Sequence, residues 1–243
     1  MNYNWNWHIF LEPNPMGTGT YLDLLLAGLV VTIKTSVLAW IIALIMGIII
    51  GVLRTLPSRT AQWIGFCWVE FFRNMPLLVQ LFLWFFVLPE LLPQSAGLWM
   101  KQLPNAPFWT AAIGIGLFMS ARVAVQLQAG IGSLPRGQKM AATALGLTTV
   151  QTYRYVLLPI AFRIILPPLT SEFLNTIKNT AVAITIGLIE LTGEARSMQE
   201  FSFQVFEAFT AATVLYLLVN FVVVTAMRFL ERYVAIPGYI SGK

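Results

Sequence analysis

Five apolar stretches, 21–53, 66–92, 108–132, 160–191 and 206–227, account for most of this 243-residue sequence. About 20 consecutive apolar residues cross the hydrocarbon core of a bilayer as a helix, so each stretch has the length of a span. The chain is 58% hydrophobic and only 10% charged, against about 25% charged in soluble domains, and no single soluble core could hide that much apolar surface. An all-α integral membrane protein with five spans is the expectation. The first and fourth stretches exceed one crossing, so tilt, an interfacial extension or a break is expected in each. In the fourth, Pro167-Pro168 removes two backbone donors and restricts Leu166, which predicts a discontinuous helix there.

Several function classes fall away on residue inventory. One cysteine, Cys67, excludes an internal disulfide, and together with the single His8 it cannot furnish an ordinary zinc site, so no metal is expected. The net charge of +5 comes from cations gathered at span boundaries instead of a basic patch with interleaved aromatics, which argues against nucleic acid. Gly132, Gly137 and Lys139 imitate a phosphate-binding loop, but that loop needs Lys directly after the second Gly, then Ser or Thr, at a strand-to-helix junction. Neither requirement is met, no other nucleotide motif is present, and no catalytic constellation appears. The opening MNYNWNWHIF lacks a basic region and a small-residue cleavage site, so it does not read as a signal peptide; Trp5 and Trp7 look interfacial.

With no internal repeat or linker, 1–243 reads as one membrane domain. Arg54, Arg59, Arg73, Arg136, Lys139, Arg154, Arg163, Arg228, Arg232 and Lys243 lie on one side of a five-span topology, with only Lys101 and Arg196 opposite. The positive-inside rule makes that side cytoplasmic. The N-terminus is then outside and the C-terminus inside.

The segment 133–159 is polar, cationic and amphipathic amid membrane-grade sequence. Helical spacing of Met140, Ala141, Ala144 and Leu145 predicts a short helix ending at Gly146. A second is expected from an N-cap at Thr149 to Leu157, halted before Pro159. Two short helices around a glycine make a compact cytoplasmic knob: Ala141 and Ala142 would let a partner approach closely, and Arg136, Lys139 and Arg154 would supply rim charges. The competing reading is an amphipathic hairpin on anionic lipid.

Met140-Ala141-Ala142, Gly146 and Val156-Leu157-Leu158-Pro159 resemble the coupling loop of binding-protein-dependent ABC importer permeases, with Met140 where that family usually has Glu. EFFRNMPLLVQLFLWF (70–86), TSEFLNTIKNTAVAITIGLIEL (170–191) and ARVAVQ in the third span resemble the polar amino acid branch. The resemblance implies the type I importer transmembrane fold in a bacterial inner membrane and an acidic substrate, glutamate or aspartate. It also implies a second permease chain or a copy of this one, a periplasmic amino acid binding protein, and cytoplasmic ATPases that would hold the ATP and Mg, leaving no cofactor on this chain. Gln138, Met140, Ala141, Ala142, Gly146, Val156, Leu158 and Pro159 would then contact or support the ATPase.

Intramembrane charges are costly and face the protein interior or water, so the substrate path is sought at Lys34, Arg122, Glu172 and Lys178, with Gln126 four residues after Arg122 and Asn175 three after Glu172. By the resemblance, Arg122 stands where many such permeases carry Tyr and Val125 where they carry Glu, a change suited to an acidic ligand. Arg122 could instead be a structural partner of Glu172. Glu172, Asn175, Thr176 and Asn179 form a polar stripe at helical spacing that faces a cavity or a subunit interface, and Lys34 could snorkel to headgroups. Gly47-x-x-x-Gly51 permits close helix packing. A secondary amino acid transporter would share the charges but not need the knob; a scaffold or assembly protein would have the knob without the charges.

Overall fold

The computed structural model describes residues 3–15, 17 and 19–234; Lys243, counted above among the cytoplasmic cations, lies outside them. Among the described residues the secondary structure is helical apart from an isolated bridge between Pro13 and Thr20. After a 3-10 turn at Trp7–Leu11 come α1 (Tyr21–Leu53), α2 (Arg59–Asn74), α3 (Leu77–Leu91), α4 (Gln94–Gln102), α5 (Ala106–Gly132), α6 (Arg136–Ala144), α7 (Thr149–Ile186), α8 (Leu191–Ser202) and α9 (Val205–Val234). Among the described residues four helices, α1, α5, α7 and α9, are long and apolar enough to cross a membrane, and a fifth crossing results if the bent pair α2 and α3 is one span.

The second span is therefore not the straight 66–92 helix expected from its apolar run. It starts at Arg59 and bends by 102° between α2 and α3. Pro76 explains the bend: it forces Met75 into extended backbone (φ −98°, ψ 133°) and opens α3 from its N-cap, because the residue before proline is driven out of the helical region.

Prolines inside the longest helices do not interrupt them. Pro167 and Pro168 lie inside α7, contrary to the expected break. Proline's fixed φ of about −65° is compatible with a helix and each removes one donor only, so the helix runs through both. The fourth span loosens later, where Thr180–Ile186 tightens into 3-10 geometry and Gly187 takes a left-handed φ of +88°, so Leu191 opens α8 instead of ending the span. Nor does Pro159 halt a knob helix. A π turn at Tyr153–Leu157, closed by Leu158 N–H to the Tyr153 carbonyl, carries the chain through it, and an equivalent turn at Leu83–Val87 precedes Pro89. In both, the wider turn ends two residues before a residue that has no N–H to give.

The chain divides into two compact units. One comprises the residues up to Trp40, Pro76–Gly116 and Asn175–Val222. Its core joins Ile9, Tyr21, Leu25, Leu191, Ala195, Met198, Ala208 and Ala212. The Glu207 carboxylate anchors the N-terminal segment by accepting from the Tyr3 hydroxyl and from Asn6 N–H at 2.8 Å. The other unit comprises Ile41–Met75, Leu117–Leu174 and the residues from Val223 on. Here the Gly47-x-x-x-Gly51 pair has a definite use. A Cβ on Gly47 would lie 2.5 Å from Val123, and one on Gly51 2.9 Å from Leu127, so the two glycines let α1 press against α5.

Candidate functional site

In the second unit, a cavity of about 250 Å³ is lined by Arg73, Phe118, Arg122, Val125, Gln126 and Glu172. Arg122, Val125 and Gln126 come from one face of α5 and Glu172 from α7. The Arg122 Nη1 to Glu172 Oε2 distance is 3.7 Å, with the arginine side chain 47% exposed and the glutamate 12%. That is an ion pair beyond hydrogen-bonding distance, for which N···O contacts run about 2.7–3.2 Å. Arg122 also lies over the Phe118 ring at 5.6 Å, one helical turn away, an arrangement that supports a cation at modest gain. The structure thus joins three of the expected path residues, Arg122, Gln126 and Glu172, in one polar cavity. It adds Arg73, which sequence reasoning had placed with the boundary cations. The available signal was Asn74-Met75-Pro76: a helix end there puts Arg73 at a helix terminus within the second span instead of at its boundary.

The remaining expected path residues belong to the first unit. Asn175 and Lys178 continue α7 beyond Glu172. Lys34 lines a separate cavity of about 490 Å³ with Val31, Asn105, Pro107, Phe108, Gly187, Leu188 and Ile189.

Glu190, which sequence reasoning counted within the fourth span, is fully buried in the first unit. Its Oε1 accepts from Thr192 N–H (2.9 Å) and Gly193 N–H (3.1 Å), which caps α8. Its Oε2 accepts from Thr32 Oγ1 (3.2 Å) and the Tyr216 hydroxyl (2.6 Å). One carboxyl thereby ties α1, α8 and α9 together, and Gly28 allows it: a Cβ there would meet Glu194 Cγ at 2.7 Å and Leu191 Cα at 3.0 Å. The signal in sequence was Gly187 followed by Glu190 and Gly193, a helix stop and then a new cap. Burial raises the neighbouring Glu194 carboxyl above its ordinary range, and the charge of Glu190 adds to the rise.

The knob forms as α6, a turn at Gly146 with φ +77°, and the start of α7. Its N-cap is Thr148 and not Thr149. The Thr148 hydroxyl accepts from Gln151 N–H, and Thr148 N–H is met by the Gln151 side chain at 2.8 Å, a reciprocal capping box that an isolated threonine at 149 could not make. The knob packs on a buried cluster of Leu134, Tyr153 and Leu157, joined by Val156 and Leu158, and the Tyr153 hydroxyl donates to Thr55 Oγ1 at 3.1 Å.

The coupling residues divide accordingly. Met140 is exposed (68%), as are Ala141, Gly146 and Pro159; Gln138, Val156 and Leu158 are half-buried; Ala142 points inward at 3% instead of presenting a flat face. Leu145 (81% exposed) and Val150 extend the apolar surface beyond the expected set. Arg136, Lys139, Met140, Thr143 and Ala144 line an open depression of about 670 Å³. An exposed apolar surface rimmed by cations is the composition of a protein-docking patch.

Residues 24–236 match the family described as binding-protein-dependent transport system inner membrane component. The chain is 48% identical over 246 aligned residues, covering all of both chains, to the glutamate/aspartate import permease protein GltJ of Escherichia coli K12. It is 34% identical to the probable amino-acid ABC transporter permease protein PatM of Vibrio harveyi, over 80% of this chain and 84% of that one. Among solved structures, an amino acid ABC transporter determined with histidines matches at TM-score 0.73 and 29% identity, covering 88% of this chain and 95% of that chain. The inward-facing methionine transporter MetNI matches at TM-score 0.74 and 19% identity, over 88% and 98%, and shares the fold. The chain belongs to the family of inner membrane components of binding-protein-dependent transport systems.

Proposed function

We propose that this chain is the transmembrane permease subunit of an ATP-driven importer of glutamate and aspartate. The observation that carries the reading is its end-to-end similarity, at 48% identity, to a glutamate/aspartate import permease. The cavity holding Arg73, Arg122 and Glu172 supports it, since two cations and one anion suit an acidic ligand. In this reading the N-terminus faces the periplasm and the knob the cytoplasm of an inner membrane. A loaded binding protein docks outside, and ATPase subunits, which hold the ATP and Mg, dock on Met140, Ala141, Leu145 and the rim cations. Nucleotide-driven closure of the ATPases moves the knob, and the rigid continuation of α7 through the π turn passes that motion to Glu172. A second permease chain, homologous or identical, completes the path.

Purification of the tagged chain from cells expressing its candidate partners tests this. The expected result is co-purification of an ATPase whose activity rises when glutamate-loaded binding protein is added. A chain that purifies without ATPase yet supports glutamate uptake driven by an ion gradient would make it a secondary transporter instead.

A further inference from the structure

The chain from Tyr3 to Leu11 precedes both α1 and the residues, 24–236, that match the family, so the shared fold does not account for it. It is nevertheless a packed element. Its 3-10 turn sends Ile9 into the core of the first unit, and the fully buried Glu207 carboxylate, in the first turn of α9, accepts from the Tyr3 hydroxyl and from Asn6 N–H at 2.8 Å. What the segment presents outward is aromatic. Tyr3, Trp5 and Phe206 meet pairwise with ring centroids 4.8–5.5 Å apart, and Trp7 stacks on Trp5 at 5.7 Å. Trp5, Trp7, Phe206 and Leu11 are each more than half exposed. We infer that this cluster is an interfacial anchor, seated in the lipid headgroup region of the leaflet opposite Arg228 and Arg232.

Continuity and depth both favour lipid as the occupant. Phe206 belongs to α9, a helix apolar enough to cross a membrane and with only 11% of its most apolar window buried; Leu217 and Phe221 share its face at the helical period and are exposed as well. The rings therefore cap an apolar stripe that already points out of the protein. At 1.5 Å per residue, α9 rises about 33 Å from Phe206 to Arg228, against about 30 Å for a hydrocarbon core. Cations mark one boundary of the span and aromatic rings the other, where Trp and Tyr collect because an apolar ring carries a polar N–H or O–H. Charge then narrows the lipid. From Tyr3 to Asp23 the sequence holds Glu12 and Asp23 but no Lys or Arg, so the seat is the boundary of a neutral bilayer and not an anionic headgroup. Ile9 shares its core with Tyr21 and Leu25 of α1, Leu191 of α8 and Ala208 of α9, and the anchor thereby fixes the depth of three helix ends.

The anchor depends on α9 crossing the membrane and not on the importer reading. The test places a nitroxide at Trp5→Cys, in a Cys67→Ser background, on the full chain with the subunits that co-purify with it, in phosphatidylcholine nanodiscs. Dissolved oxygen should relax the label more than a water-soluble nickel chelate does, and replacing part of the phosphatidylcholine by phosphatidylglycerol should leave that ratio unchanged. Dominance of the chelate would put the segment in water and overturn the anchor. A lipid signal that arises only with phosphatidylglycerol would overturn it too, as would chelate access that falls only when a periplasmic binding protein is added, which would make the cluster a protein-docking surface. Should Trp5→Cys fail to assemble, native fluorescence decides the same point. Lipids brominated near the glycerol end of their chains should quench a larger fraction of the wild-type tryptophan emission than of that from Trp5→Phe with Trp7→Phe, and equal quenching would refute the assignment.

Discussion

At the scale of single residues, charges placed where they are costly separate a transport role from a structural one. If Arg122 served only to pair with Glu172, replacing both by methionine would remove two charges together and restore transport, because breaking one partner of a pair costs more than removing both. A substrate role for Arg122 implies otherwise. Arg122→Met with Glu172→Met should assemble and bind its ATPase normally, while acidic amino acid uptake stays down by at least about tenfold, the loss of a charged contact to substrate. Recovery with an unchanged substrate profile would return Arg122 to a structural role.

Glu190 is the opposite case, a carboxyl that holds helices. All four of its neighbours donate to it, so Glu190→Gln puts an amide N–H₂ against donors and should destabilise the chain by about 1–3 kcal/mol, read as a lower thermal midpoint in detergent. Glu194 adds a pH effect. Its folded pKa is raised, so the folded state binds that proton more tightly, and its stabilising contribution is full at acid pH and lost as pH rises through the folded pKa. Glu194→Gln should therefore raise the thermal midpoint at neutral pH and change it little in acid. Arg122 and Glu172 were legible in sequence as charges inside apolar runs. Arg73 and Glu190 were not, because their roles depend on a helix bend and a helix cap that only tertiary packing fixes.

At the scale of elements, hydropathy located the spans but not their interruptions. The 21–53 run corresponds to α1 residue for residue, since a predominantly apolar segment of that length leaves the backbone no alternative to helix in a membrane. The breaks went differently. A Pro-Pro pair expected to break α7 is absorbed, while Pro76 with Met75 turns the second span by 102° and Gly187 ends the fourth. Proline inside a helix costs a hydrogen bond; backbone driven into extended or left-handed geometry leaves the helix altogether.

The same distinction governs the knob. No atom lies within 4 Å of where a Cβ on Gly146 would be, but its φ is +77°, so substitution strains the backbone without a clash. Gly146→Val should cost about 1–2 kcal/mol at the turn and Gly146→Asn less, because asparagine tolerates that conformation. With α6 and the start of α7 misaligned in the valine variant, ATPase binding should weaken, or hydrolysis should continue while uptake falls. Equal, wild-type ratios of uptake to hydrolysis in both variants would exclude this turn from coupling.

At the scale of the whole molecule, the claims concern direction. In the proposed topology, read from the cation distribution, the knob is cytoplasmic, so a cysteine at Gln138 in a Cys67→Ser background should react with an impermeant thiol reagent in inside-out vesicles and not from outside intact cells. Direction is also where the central claim is most exposed. Proteoliposomes holding this chain with its permease partner and ATPases should accumulate labelled glutamate only when ATP is enclosed and glutamate-loaded binding protein is supplied outside. They should fail with a non-hydrolysable nucleotide. Accumulation that persists without hydrolysis, or that requires a neutral or basic amino acid in place of glutamate or aspartate, would contradict the account.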